Sequence, residues 1–150
     1  MRGAISSVRI VTKNKKKDAI KKIENDKFVK QQCCTDLGKD VRVYIIGNKV
    51  VAAVLRTSEK SFKSNYSLGG NVSLYDLNET ERKYVDTITQ MLPMDFAAID
   101  FIFNNGQAAF NEIEDAAGAR MLYSISDIDI VKMQVEYMMK ELKKSCIAKN

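Results

Sequence analysis

In residues 96–114, FAAIDFIFNNGQAAFNEIE, two strand-forming runs flank an Asn-Asn-Gly turn signal, a pattern that folds as a β-hairpin. Side chains alternate faces along a strand, so Glu112 and Glu114 share one. Whether Asp100 joins them depends on the turn. A two-residue loop at Asn105 and Gly106 pairs Asp100 with Asn111 and sends the three acids to different faces. An odd-length loop, for instance residues 105–107, sets Asp100 opposite Glu112. In that register three carboxylates project from one patch, repelling one another unless a cation compensates. A hard divalent ion with oxygen ligands supplies that charge. Magnesium takes one or two protein carboxylates and completes its shell with water and nucleotide phosphates, so the cluster suits a magnesium-nucleotide site better than a calcium cage. The alternative is a solvent-facing acidic strand edge. Asp100 weighs against it, because a residue of low strand propensity has no structural reason to sit between Ile99 and Phe101.

The rest of the chain supplies the partners of this hairpin. VRVYIIG and KVVAAVLR, separated by Gly47 and Asn48, read as a second hairpin. SSVRIVT reads as a strand, KNKKKDAIKKIEN as a short amphipathic helix with Ala19, Ile20 and Ile23 on one face, and FVKQQCC as a further strand. Residues 57–73 are polar and Gly-bearing with no sustained period, the signature of a functional or mobile loop, and contain Lys63 and Asn65. In NETERKYVDTITQMLP, Asn78 and Glu81 form a capping-box signature, and Val85, Ile88 and Leu92 lie on one stripe ahead of Pro93. The closing helix, SDIDIVKMQVEYMMKELKK, aligns Ile128, Val131, Val135, Met138 and Leu142, with its methionines expected as core filling. The fold class is therefore α+β, an antiparallel sheet with flanking helices, in one domain without repeats or linkers.

Composition narrows the chemistry. The 150 residues contain no histidine, which excludes Ser/His/Asp triads, histidine zinc sites and histidine general bases. Three cysteines without framework spacing point to reduced thiols and a cytoplasmic protein, and no run reaches membrane-span length. A net charge of +5 suits an anionic partner, but the lysine run has no interleaved aromatic residues and reads as a solvated helix face, so nucleic acid is not the expected partner.

Four blocks in order, DVRVYIIGNKVVAAVLR, FKSNYSLGG, FAAIDFIF and FNEIEDAAG, resemble the later part of the ATP-grasp fold, in the branch of ribosomal-protein glutamate ligases and similar carboxylate–amine ligases. The resemblance implies ATP and magnesium as cofactors, with manganese as an alternative ion, and a carboxylate and an amine as substrates. It places magnesium ligands at Asp100, Glu112 and Glu114, the last where the family usually has Asn. Lys63 stands where an Arg near the phosphates is usual, with Asn65 beside it, and Arg42 and Arg56 match basic positions at the phosphate or acyl-phosphate end. Lys30, Gln31, Gln32 and Cys33 occupy the hinge strand that holds adenine through backbone groups, and Asp40 matches an acidic position at the nucleotide pocket. Each has a plainer alternative: Arg42 and Arg56 as outward strand residues, Cys33 and Cys34 as packed small residues rather than nucleophiles.

Similar ligases begin with a separate domain and an ATP-binding Lys ahead of a Gly-rich loop. MRGAISSVRIV starts inside that loop, with Ser6 and Ser7 where glycines are common. The resemblance thus implies a partial ATP-grasp domain, with the end of the Gly-rich-loop subdomain in about residues 1–35 and the catalytic subdomain in about 36–150. A fragment or truncated relative of this kind would be competent only with its missing N-terminal portion. The competing expectation is a non-catalytic module that binds nucleotide weakly or serves as a scaffold, with exposed apolar surface inviting homo-oligomers.

Overall fold

The computed structural model describes residues 32–59, 70–115 and 117–147. All but Gln32 and Cys33 belong to one compact unit, Cys34–Asn150. Its frame is a five-stranded antiparallel sheet in the order β3-β2-β1-β4-β5, built from β1 (Lys39–Ile46), β2 (Lys49–Thr57), β3 (Asn71–Leu74), β4 (Phe96–Asn104) and β5 (Gln107–Glu114). Helix α1 (Glu79–Met91) joins β3 to β4, and the short α2 (Arg120–Tyr123) and long α3 (Ile130–Ile147) follow β5. The expected strand and helix before residue 31 and most of the 57–73 loop lie outside the described residues, although β3 closes that loop with four residues that the sequence pattern did not mark. Among the described residues, no helix is long and apolar enough to cross a membrane.

Both hairpins turn through two residues. Gly47 and Asn48 have φ of 56° and 63°, and Asn105 and Gly106 have 50° and 75°, the left-handed pairs that a twisted hairpin requires. Each turn is also clasped from outside. Asn48 accepts the Met94 N–H on its Oδ1 at 2.6 Å, while the Gly47 N–H donates to the Asp95 carbonyl at 3.0 Å. At the other hairpin, Thr35 Oγ1 accepts the Asn105 N–H at 2.6 Å and Asp36 Oδ2 the Gly106 N–H at 2.8 Å.

The alternation of strand residues divides the core into two layers. Val41, Val43, Ile45, Ala53, Ile99, Phe101 and Phe103 face one side, where Val85, Leu77 and Met94 cover them. Tyr44, Ile46, Ala52, Val54 and Ala98 face the other, beneath Met121 and Leu122 of α2 and Ile130 of α3. Helix α1 starts as its sequence indicates: the Asn78 side chain accepts the Glu81 N–H, and the Glu81 carboxylate accepts the Asn78 N–H. Its stripe ends sooner than the spacing predicts, because Leu92 is the extended C-cap and is exposed, while Thr89 is buried in the last turn.

Helix α3 departs further from expectation. Only Ile130 is fully buried, and Val131, Val135, Met138 and Leu142 are exposed, as are Met133 and Met139. The methionines are therefore not core filling. Periodicity identified the apolar face, but among the described residues little covers it, and Tyr137 is the chief contact beyond Ile130.

Tyr44 lies beneath α2, its hydroxyl donating to the Gly118 carbonyl at 2.8 Å. Burial pushes its phenol up from 10.0 to about 12; Asp100 and Glu114 add to the rise, against Arg42 and Arg56. A raised folded-state pKa makes the stability contributed by the protonated phenol complete below about pH 10 and lost as pH climbs through about 12. Phenolate absorbance should therefore show late ionisation of Tyr44, and Tyr44→Phe should flatten the fall in unfolding free energy over that interval. An ordinary titration midpoint for Tyr44 would contradict its burial.

Candidate functional site

The face that carries Tyr44 becomes ionic toward the other end of the strands. Asp40, Arg42 and Tyr44 alternate on one side of β1, Val54 and Arg56 on β2, and Ala98 and Asp100 on β4. Antiparallel pairing sets Asp40 against Arg56 and Arg42 against Asp100. Charges that are far apart in sequence thus become cross-strand neighbours.

The hairpin register differs from both alternatives that the sequence presents. The turn has two residues, which alone would pair Asp100 with Asn111. The pairing instead shifts between Asp100 and Phe101: Phe101 lies opposite Phe110, but Asp100 lies opposite Glu112 and Ala98 opposite Glu114. Asn111 is the additional residue of a β-bulge, and the bulge restores the parity that the short turn removed. The expectation that an odd loop was required is corrected. Asp100, Glu112 and Glu114 share a face because the irregularity sits within β5 rather than at its turn.

The chain's own side chains already bring compensating charge to this face. Asp100, 3% exposed, takes Arg42 Nε on Oδ1 and Arg42 Nη2 on Oδ2, and Arg56 Nη2 also reaches Oδ2, each at 2.8 Å. Arg56 additionally pairs with Asp40, and Arg42 with Glu114. The result is a ladder running Asp40, Arg56, Asp100, Arg42, Glu114. Arg42 and Arg56 are buried, not outward strand residues. Burial alone would lower the Arg42 pKa, but the hydrogen bonds and charge of Asp100, with Glu114 behind them, hold it above its ordinary value. At Arg56 the same opposition comes from Asp40 and Asp100, with the same upward outcome. Both guanidinium groups are fixed as permanent cations, and together they offset the charge of the buried acid.

Among the described residues, no three acidic or thiol side chains form a group able to hold a metal by themselves. The donor chemistry nonetheless fits an ion that brings its own water and phosphate ligands. Glu112 is exposed, Glu114 is partly so, and Asp100 uses three of the roughly four acceptor sites of a carboxylate. Hard oxygen ligands therefore remain on one face.

The other expected site residues are less complete. Lys30, Gln31, Lys63 and Asn65 lie outside the described residues, while Gln32 and Cys33 are exposed and in no strand, so the described part of the hinge is not extended sheet. The Asp40–Arg56–Asp100–Arg42 ladder was missed as a unit. Its only sequence signal was the placement of Asp and Arg on alternating positions of strand-forming runs.

Residues 5–138 match the RimK-like ATP-grasp domain family. The chain is 34% identical over 108 residues to an uncharacterized protein of Mycoplasma genitalium, covering 70% of this chain and 38% of that protein. It is 30% identical over 106 residues to a probable alpha-L-glutamate ligase of Hahella chejuensis, covering 70% and 35%. The chain thus spans about a third of the length of the curated relatives it matches. Among solved structures, the ATP-grasp ligase PsnB, complexed with a phosphomimetic variant of a minimal precursor, Mg and ADP, superimposes with a TM-score of 0.58 at 17% identity, over 75% of this chain and 34% of that one. The D-alanine–D-alanine ligase of Bacillus anthracis, complexed with ATP, gives 0.52 at 12% identity, over 91% and 50%. At such identities the likeness is one of fold, and the α+β fold is that of ATP-grasp ligases.

Proposed function

The chain belongs to the RimK-like ATP-grasp domain family, and from that premise we propose that it supplies the nucleotide- and magnesium-binding face of an ATP-dependent carboxylate–amine ligase. The observation that carries this reading is the bulge-restored register, which sets Asp100 opposite Glu112 beside two buried arginines. In the proposed reaction a substrate carboxylate oxygen attacks the γ-phosphorus of ATP, releasing ADP and forming an acyl phosphate. An amine then attacks the acyl carbon, phosphate leaves, the amine loses a proton, and an amide-type bond remains.

Such a reaction requires positioning and charge neutralisation more than a proton-transfer catalyst, in keeping with a chain that has no histidine. Magnesium would be held by Asp100, Glu112 and Glu114 and would neutralise phosphate charge; manganese shares the ligand chemistry. Arg42 and Arg56 present fixed cations to the transferred phosphoryl group, and Asp100 orients both. Lys63 and Asn65 are assigned to the same end, and the backbone of Lys30, Gln31, Gln32 and Cys33, with Asp40, to the nucleotide base and pocket. The division into a Gly-rich-loop portion of about residues 1–35 and a catalytic portion of about 36–150 belongs to the same proposal, as does a cytoplasmic location.

Calorimetric titration of the 150-residue chain with ATP tests it. Magnesium should strengthen binding markedly, and Glu112→Gln should weaken binding in its presence by about tenfold or more. Glu112 is exposed, so this variant should leave the fold intact. Unchanged affinity would remove Glu112 from the site. A second reading, a non-catalytic module that self-associates, is favoured by the exposed apolar stripe of α3. Light scattering that finds a monomer with magnesium-dependent ATP binding would exclude it.

A further inference from the structure

We propose that Glu114 exchanges partners when the site is loaded, leaving Arg42 for the divalent ion and so freeing that arginine to meet phosphate; this rests on the nucleotide and magnesium reading above. The two arginines of the ladder are held unequally. Arg56 lies between two largely enclosed acids, Asp40 and Asp100, whose side chains are 14% and 4% exposed. Arg42 has Asp100 on one side, but its other acid is Glu114, with a side chain 41% exposed. Glu114 can therefore swing into solvent without stranding a buried charge, because Arg42 keeps both of its hydrogen bonds to Asp100.

Its position gives it somewhere else to go. Glu114 lies two residues from Glu112 on the same face of the edge strand, just beyond the bulge. Without a cation, the nearest positive charge is Arg42. With a cation drawn to Glu112, a second pole of attraction lies along the same strand face. The described ladder, together with Glu112, sets four carboxylates against two guanidinium groups. An incoming polyphosphate without an ion meets excess negative charge, and the Arg42 edge that it would use is covered by Glu114. The charge of a divalent ion offsets the first obstacle, and the departure of Glu114 toward it removes the second. Ion and nucleotide then assist each other reciprocally, with Glu114 carrying part of the coupling.

Calorimetric titration of the full chain with ADP, with and without magnesium chloride at fixed ionic strength, reads this directly. In Glu114→Gln, ADP affinity without magnesium should rise by about three- to tenfold, since a competing charge at close range has gone. The enhancement of affinity by magnesium should shrink by at least the same factor. An unchanged magnesium-free affinity, or an intact magnesium enhancement, would overturn the proposal while leaving the nucleotide reading in place. A wild-type chain that binds no ADP in either condition would overturn that reading, and this proposal with it.

Discussion

Asp100→Asn is expected to lower the unfolding free energy by about 3 kcal/mol, the largest effect of any single substitution in the ionic ladder. The side chain keeps its shape but loses its charge, and its amide nitrogen turns donor hydrogens toward guanidinium donors. Three hydrogen bonds converge on this carboxylate, and both arginines that make them are buried. Breaking a buried ion pair typically costs about 3–5 kcal/mol. The lower end applies because Arg56 retains Asp40 and Arg42 retains Glu114. Urea unfolding should show a reduced midpoint at constant slope, the mark of lost native stability. Replacing Asp40, Arg42, Arg56 and Asp100 together by apolar residues of similar size should recover most of the loss, because removing a whole buried ion cluster is often close to neutral and the remaining acid, Glu114, reaches solvent. An Asp100→Asn variant within about 0.5 kcal/mol of wild type would mean that the ladder carries no structural energy. In that case Asp100 would be in the sheet for its site alone.

What could be read from the sequence follows the range over which each feature is determined. The Gly47-Asn48 and Asn105-Gly106 turns and the Asn78–Glu81 cap were legible because each is decided within a few residues. The bulge at Asn111 was not, since it is a property of the pairing of β5 with β4 and not of β5 alone. The same is true of Arg42 against Asp100: their pairing follows from the β1–β4 register, which joins strands separated by two further strands, a long loop and a helix. Three acids in apolar strands stood out in the sequence, but the partner that stabilises Asp100 could be seen only after the strands were ordered. Met138 and Leu142 show the opposite failure. Their spacing correctly predicts an amphipathic helix, yet a stripe states which face is apolar and not whether anything covers it.

Gly47→Ala tests how that helix is attached, and is expected to cost about 2 kcal/mol in total, concentrated in α3. Two effects contribute. Gly47 has a φ of 56°, where a residue with a Cβ loses about 1–2 kcal/mol. An added Cβ would also stand 2.4 Å from Tyr137 Cε2, closer than atoms can approach. The ring cannot simply retreat, because its hydroxyl donates to Asp95 Oδ1 at 2.7 Å, and Asp95 is itself bonded through its carbonyl to the Gly47 N–H. Displacing the ring therefore loosens one of the two apolar contacts that α3 makes with the core among the described residues, leaving Ile130. Amide hydrogen exchange should accelerate across residues 131–147 while β1 and β4 stay protected. Combining Gly47→Ala with Tyr137→Leu separates the two effects, since only the backbone strain survives once the ring is gone. The cycle should give a coupling of about 1 kcal/mol or more between the two positions. Coupling near zero would show that the turn strain acts alone, and that Tyr137 does not hold the helix to the sheet.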